Sequence, residues 1–502
     1  MYVRAKQFDA FVLKSITSLD CVPLGPAYKS LSGYECQENL VKYRMKKKFA
    51  KPGKADADRA QKSVRDMLAY DAEGLTTFEP ARITMSSEAR SVLYKARAQL
   101  HKLFGDFKFL TRNCDFPSGE SYDSARGDVS LFAKLRDKKH WKVTPDCFEL
   151  FARVVYDTIA LKRAAKHHMP VYTKAHNLRL IRAAYLRFKK RKDVTFSEFM
   201  QVGDFGFFIF MEKLRDVVTF MYGSRLATVP KDKDKDRVIE VECMGNMIVQ
   251  RTIGITLRQR IKTAYDVDLE TAQDDHKRLI SDPQFATIDL SNASNSNWMC
   301  VIDWLLPRRL TRFLKASRAA VVSYQGEYFG LNMLSPMGNG FTFEVMTLVL
   351  LAMSRVNCKH SRVYGDDIII SNQHAEVLLQ ALNVCGYVVN EQKTFIDSRF
   401  RESCGAFYHD DIGYIKSYDF VYPETDYARM IIVNKLWRLG KEHQFAKNMH
   451  DGAIAFFDSL ALRRDDSVTS SCFESDGFLD KGVLCSRAKN SFIKEYNAFE
   501  AR

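Results

Sequence analysis

Residues 362–370 read Arg-Val-Tyr-Gly-Asp-Asp-Ile-Ile-Ile, and this stretch constrains the fold more tightly than any other in the chain. Two β-branched stretches, Arg362-Val363 and Ile368-Ile369-Ile370, are joined by a Gly-Asp pair, which is a hairpin signal. A tight turn there projects the adjacent carboxylates Asp366 and Asp367 from the tip of a rigid ribbon. Taken alone the pair also fits a solvated turn, because Gly and Asp are common turn residues.

Upstream, Phe285-Ala-Thr-Ile-Asp289-Leu-Ser-Asn-Ala-Ser-Asn295-Ser296 reads as a short apolar strand ending in a carboxylate. Small polar residues follow that can cap a helix running to Leu306, and Pro307 stops it. A strand-end or N-cap Asp is the ordinary alternative. An ionised carboxylate at a buried strand end is costly without a partner. If Asp289 lies beside Asp366, the three acids Asp289, Asp366 and Asp367 repel one another unless cations sit among them. Hard divalent ions with oxygen ligands resolve that conflict, Mg²⁺ first and Mn²⁺ as a substitute. Two such ions could activate a 3′-hydroxyl, steady an attacked phosphate and neutralise a pyrophosphate leaving group.

Between these acids runs Ser335-Pro-Met-Gly338-Asn339-Gly340-Phe-Thr342-Phe-Glu344, leading into the apolar helix Val345–Ser354. Two glycines around Asn339 allow close backbone approach to a nucleotide, and the Asn amide can hydrogen-bond a ribose hydroxyl. An ordinary turn before a core helix has the same composition. Residues 228–237 (TVPKDKDKDR) alternate cations with acids. Lys231 and Arg237 are the best candidates there to clamp a triphosphate, the middle of the run being self-neutralising. Lys393 follows a strand expected at Tyr387–Asn390 and could protonate pyrophosphate as a general acid. A surface lysine is the default reading. Gly53-Lys54 and Gly440-Lys441 lack the glycine spacing and the Ser/Thr of a Walker A loop, which disfavours a helicase or ATPase. Neither HExxH nor a Ser-centred elbow occurs.

Charge points the same way. The chain has 502 residues and a net charge of +15, which favours a polyanionic partner. Residues 151–200 hold twelve Lys/Arg against three Asp/Glu. Lys189, Lys190, Arg191 and Lys192, with Tyr172, Tyr185 and Phe188 interleaved, suit an RNA-tracking surface; a solvated helical face is the alternative. The 11 cysteines show no CxxC and no zinc spacing, which suits a reducing cytoplasm. Residues 1–20 lack a signal-peptide core, and the longest apolar run, Val345 to Met353, is too short to span a bilayer. A soluble intracellular protein without membrane partners is therefore expected.

Along the chain, 51–62 reads as an exposed loop or linker. Residues 81–220 read mostly helical, with amphipathic stretches at Glu88 to Leu103 and Leu178 to Lys190. A mixed α/β centre follows, and the chain turns helical again from about 411.

In this order the elements resemble the polymerase motifs of the leviviruses, the positive-strand RNA bacteriophages. The stretches that carry the resemblance are TVPK…DR (228–237), ATIDLSNAS (286–294), SPMGNGFTFE (335–344), VYGDDIII (363–370), KTF (393–395) and FRESCG (400–405). They span about residues 225–408. The resemblance implies an RNA-directed RNA polymerase, the replicase beta subunit, of α+β class. Its right-hand fold would place an antiparallel palm sheet, flanked by helices, between fingers and thumb. It divides the chain into an N-terminal and fingers region (1–220), fingers with the nucleotide loop (221–284), palm (285–410) and thumb (411–502). It also implies Asp289, Asp366 and Asp367 as metal ligands and Lys231 and Arg237 over the triphosphate. Arg401–Gly405 would support the priming end. Initiation without a primer is implied, as is assembly with host elongation factors Tu and Ts and a ribosomal protein, in the cytoplasm of the infected bacterium.

One position departs from the pattern. Where these polymerases carry a second Asp six residues after the metal-binding one, this chain has Asn295, so the resemblance implies retuned recognition of the ribose 2′-hydroxyl. Two other readings remain open on the residues. A reverse transcriptase expects a bulky aromatic just after Asp289, and Leu290 to Asn295 contains none. A non-catalytic RNA-binding subunit with a decayed palm predicts RNA affinity without synthesis.

Overall fold

A computed structural model describes residues 2–49, 57–116, 121–122, 140–192, 195–231, 235–416, 420 and 422–458. The chain divides into two compact units, one from the described residues of 1–56, 230–235 and 408–502, the other from those of 57–229 and 236–407. Among the described residues no helix is long and apolar enough to cross a membrane.

The first unit is a small helical assembly of Ala5–Thr17, Gly33–Lys48, Asp426–Gly440 and Gln444–Ile454. Phe8, Val12, Ile16, Met45, Val433 and Leu436 form its core. Arg429 clamps it with a hydrogen bond to Asp9 at 2.8 Å.

The second unit holds the motifs. At its centre an antiparallel sheet orders Arg362–Tyr364, Asp367–Ser371 and Phe285–Ile288 side by side. The register pairs Tyr364 with Asp367 and Ile368 with Ile288. Continued by one residue, that register sets Asp289 opposite Asp367. The isoleucines Ile368, Ile369 and Ile370 are all buried, and apolar burial of such side chains holds the register. The helices Thr342–Ser354 and Asn372–Val384 pack on this sheet. Every residue of Thr342–Ser354 except Phe343 is buried, which explains its unbroken apolar sequence. The helix Ser87–Phe104 packs in turn on both, forming an outer layer. An α+β architecture with an antiparallel sheet flanked by helices is thus present.

A second sheet orders Asp236–Val241, Ser224–Pro230, Val321–Tyr324 and Glu327–Gly330. The strand Ser224–Pro230 lies beside Asp236–Val241, the next strand in the chain, and pairs parallel with the distant Val321–Tyr324.

Three local expectations change. Residues 57–62 belong to the helix Ala57–Ala72, because Val64 and Met67 bury one face of it; the rest of the supposed linker lies outside the described residues. The helix expected to run to Leu306 is split into a 3₁₀ turn, Ala293–Ser296, and a helix, Met299–Leu305. The break falls at Asn297 and Trp298, whose ψ angles of 73° and 132° leave the helical region between the two pieces. The strand expected at Tyr387–Asn390 is only Val388–Val389.

Candidate active site

The hairpin turns on Gly365, whose φ of 63° fits a primed two-residue turn with Gly at its first central position. A Cβ there would lie 2.8 Å from Cε2 of Phe343. The Gly365 N–H donates to Thr347 Oγ1 at 3.0 Å, tying the turn to the buried helix behind it.

Asp289 is buried at the end of its strand. Asn390 Nδ2 donates to its Oδ1 at 2.6 Å, and Lys393 Nζ donates to its Oδ2 at 3.0 Å. Its backbone carbonyl accepts from Asn390 N–H at 2.9 Å. The carboxylate is therefore held from both sides by the segment 390–393.

Oxygen atoms of Asp289, Asp367 and Glu402 converge within 4.8 Å of one another. Glu402 arrives on the strand Phe400–Ser403, which lies against Phe285–Ile288; its N–H reaches Thr287 Oγ1 at 3.5 Å. Its Oε2 is buried with no hydrogen-bond partner among the described residues, Lys393 Nζ standing 4.0 Å off.

Burial pushes the Asp367 carboxyl up to about 6, reinforced by the charges of Asp366 and Asp289. Burial likewise raises Glu402 to about 7, with Lys393 opposing and Asp367 adding to the rise. Burial alone would depress Lys393, but Glu402 and Asp289 hold its ammonium above the ordinary lysine range. Three converging acids, one with an orphaned oxygen, fit a hard divalent cation. One lysine against three carboxylates leaves the cluster short of positive charge.

Asp366 sits at the turn, half-buried, and is not among the three acids whose oxygens converge. Glu402 was missed from the sequence although it lies inside FRESCG. The available signal was an acid in a short strand otherwise fit for burial. Arg401, next to it, is buried, its Nε donating to Ile280 O at 2.6 Å and its Nη1 to Ser398 O. The guanidinium thus braces protein carbonyls.

The remaining expected residues fall in varied settings. Asn295 is half-buried in the 3₁₀ turn, its N–H bonded to Asn292 O at 2.9 Å. Asn339 is buried, and its Nδ2 has no hydrogen-bond partner among the described residues. The flanking glycines approach protein: a Cβ on Gly338 would meet the Glu240 carbonyl oxygen at 2.4 Å, and one on Gly340 the Arg251 nitrogen at 2.9 Å. Their compactness serves packing against the strand and helix behind the loop.

Arg237 is exposed on Asp236–Val241, and Lys231 is exposed with its N–H on Lys235 O at 3.1 Å. Residues 232–234 of this loop lie outside the described residues. Lys189, Lys190 and Lys192 are exposed at the end of helix Lys174–Lys189, whereas Arg191 forms a bidentate pair with Glu149 at 2.8 and 2.6 Å. Of the aromatics there Phe188 turns inward, packing on Phe199 and Phe208, whereas Tyr172 is half-buried and donates to Asp216 at 2.8 Å.

The family model described as RNA replicase, beta-chain, matches residues 70–501. Over 225 residues the chain is 36% identical to the RNA-directed RNA polymerase beta chain of Enterobacteria phage fr, covering 43% of this chain and 41% of that one. The same-named protein of Escherichia phage MS2 is 34% identical over 225 residues, with the same coverage. The matches therefore span about two fifths of the length of these relatives. Among solved structures, the BmCPV RNA-dependent RNA polymerase aligns over 74% of this chain and 34% of that one, at 12% identity and a TM-score of 0.37.

Proposed function

The chain belongs to the RNA replicase beta-chain family, and from that membership we propose that it catalyses RNA-templated RNA synthesis from ribonucleoside triphosphates. The observation that carries the proposal is the convergence of Asp289, Asp367 and Glu402 beside the hairpin that also bears Asp366.

In this reading Mg²⁺, or Mn²⁺ in its place, supplies Lewis-acid stabilisation at the reacting phosphate, two ions being bound when the site is fully loaded. Asp289, Asp366 and Asp367 are the ligands we assign, with Glu402 added by its orphaned buried oxygen. Asn390 and Lys393 hold the Asp289 carboxylate in one orientation, as outer partners of metal ligands do. Lys393 also offers an N–H donor toward a leaving pyrophosphate. Lys231 and Arg237 would bind the triphosphate, and Asn295 and Asn339 the ribose. Lys189, Lys190, Arg191 and Lys192 would take template phosphates, Arg191 after release from Glu149.

By family membership we further propose primer-independent initiation, division into an N-terminal and fingers region (1–220), fingers with the nucleotide loop (221–284), palm (285–410) and thumb (411–502), and action in the cytoplasm of an infected bacterium. Elongation factors Tu and Ts and a ribosomal protein are the proposed host partners. The test incubates the purified chain with template RNA, Mg²⁺ and ribonucleotides, with and without those factors. Labelled product that disappears with Asp289→Asn and Asp366→Asn supports the proposal. RNA binding with no product under either condition overturns it in favour of a non-catalytic subunit.

A further inference from the structure

The helix Arg308–Ser317 carries Arg308, Arg312 and Lys315 at i, i+4 and i+7, so one face presents a row of three cations to solvent. Opposite that row, the helix Ser87–Phe104 brings Arg97 and His101. Four cationic side chains, Arg97, Arg308, Arg312 and Lys315, line a cavity of about 480 Å³ together with the His101 imidazole and a single acid, Asp303, which is already bridged to Lys315. Neither Arg308 nor Arg312 makes an ion pair with a described residue. Arg97 is fixed in place, its Nε donating to Trp304 O at 2.8 Å and its guanidinium lying over the Trp304 ring. Burial and the nearby Arg97 charge both depress the His101 imidazole, as expected in a field lacking anions.

The cavity is separate from the acidic cluster. Ser87–Phe104 packs on the helices Thr342–Ser354 and Asn372–Val384, which themselves cover the catalytic sheet. A helical layer therefore stands between the basic cavity and the sheet that carries Asp289 and Asp367.

We propose that this cavity is an RNA-backbone exosite, taking consecutive phosphates of a single strand outside the catalytic centre. The ligand assignment rests on the RNA-synthesis reading above; the site itself rests on the cations. Arginine forks favour phosphate oxygens, and a linear row of cations matches a linear row of phosphates. A protein partner would need an apolar anchor. The one large apolar lining residue, Leu306, is already buried, at 1% exposure.

The test uses the full chain and a charge-reversed variant, Arg308→Glu with Arg312→Glu. Both side chains are exposed, so folding should survive, and matched thermal melts check it; the milder pair Arg308→Gln with Arg312→Gln repeats the measurement if they differ. Binding of a fluorescent single-stranded RNA 20-mer is followed by anisotropy across a salt series, with labelled ATP as a second probe. Wild type should bind RNA with a steep salt dependence. The variant should bind more weakly, with a log–log salt slope shallower by about 1.4, corresponding to two lost single-strand phosphate contacts. Its ATP binding should be unchanged. Equal RNA affinity and slope in variant and wild type overturn the exosite. An equal loss of ATP binding overturns it in favour of a free-triphosphate site. Absence of RNA binding by wild type instead defeats the RNA-synthesis reading itself.

Discussion

Lys393 Nζ sits 3.0 Å from Asp289 Oδ2, so the carboxylate at the end of the strand Phe285–Ile288 is held by an ammonium delivered from a later segment. The two residues are far apart in sequence, and the contact depends on the pairing of Leu290-Ser291 with Val388-Val389. Lys393→Ala should lower the rate of synthesis by about 10²–10⁴-fold if the lysine donates a proton. Lys393→Arg separates the roles: it keeps the contact with Asp289 but not an acidity suited to proton transfer. Recovery of most activity by Arg in single-turnover assays would assign Lys393 to positioning alone.

Glu402 and Asn390 make separable predictions about metal affinity. Glu402→Gln removes a ligand oxygen and should raise the Mg²⁺ concentration at half-maximal activity. Asn390→Ala removes an outer partner of Asp289 and should raise it about 10–100-fold. Magnesium titrations of both variants measure this, and wild-type curves for the two would remove Glu402 and Asn390 from the site.

The raised carboxyls predict a pH dependence with a definite sign. Burial pushes the Asp367 carboxyl up to about 6 and that of Glu402 up to about 7 in the folded chain, both above the ordinary carboxylate range. Both then bind protons more tightly folded than unfolded, so metal-free stability falls as pH rises from about 4 to about 7. Asp367→Asn, mimicking the protonated form, should raise the melting temperature in chelator at pH 8 and leave it nearly unchanged at pH 4. Magnesium should stabilise wild type at pH 8 far more than at pH 5.5, because ligands must lose protons to bind it.

Gly338 has a φ of 110° and would press a Cβ to 2.4 Å from the Glu240 carbonyl oxygen. Gly338→Ala should cost at least about 1–3 kcal/mol from backbone strain alone, lowering the denaturant midpoint. An unchanged midpoint would show that the loop relaxes freely.

Asn295→Asp introduces the carboxylate that the resemblance to the leviviral polymerases implies at this position. It should increase the preference for ribo- over deoxyribonucleotides, read as the ratio of incorporation efficiencies under competition. A ratio identical to wild type would dissociate Asn295 from sugar recognition.

Local pattern was enough to make the hairpin legible. β-Branched residues on either side of Gly365-Asp366 specify a tight turn whatever surrounds it, and the apolar run 345–353 specifies a buried helix. The same kind of reasoning does not reach Asn297 and Trp298, where non-helical backbone interrupts an otherwise plausible helix. Nor can composition say that Phe188 faces inward onto Phe199 and Phe208.

From sequence alone, then, the chemistry was available: acids at a strand end and a hairpin tip, a compact Gly-Asn-Gly loop, and a surplus of positive charge. Only the tertiary structure decided which oxygens meet. The antiparallel register sets Asp289 opposite Asp367, and a third strand brings in Glu402. Distances of a few ångströms between residues far apart in the chain follow from packing and strand order, which no local spacing encodes. The basic cavity has the same origin, because its cations come from two helices that are neighbours only in the folded chain.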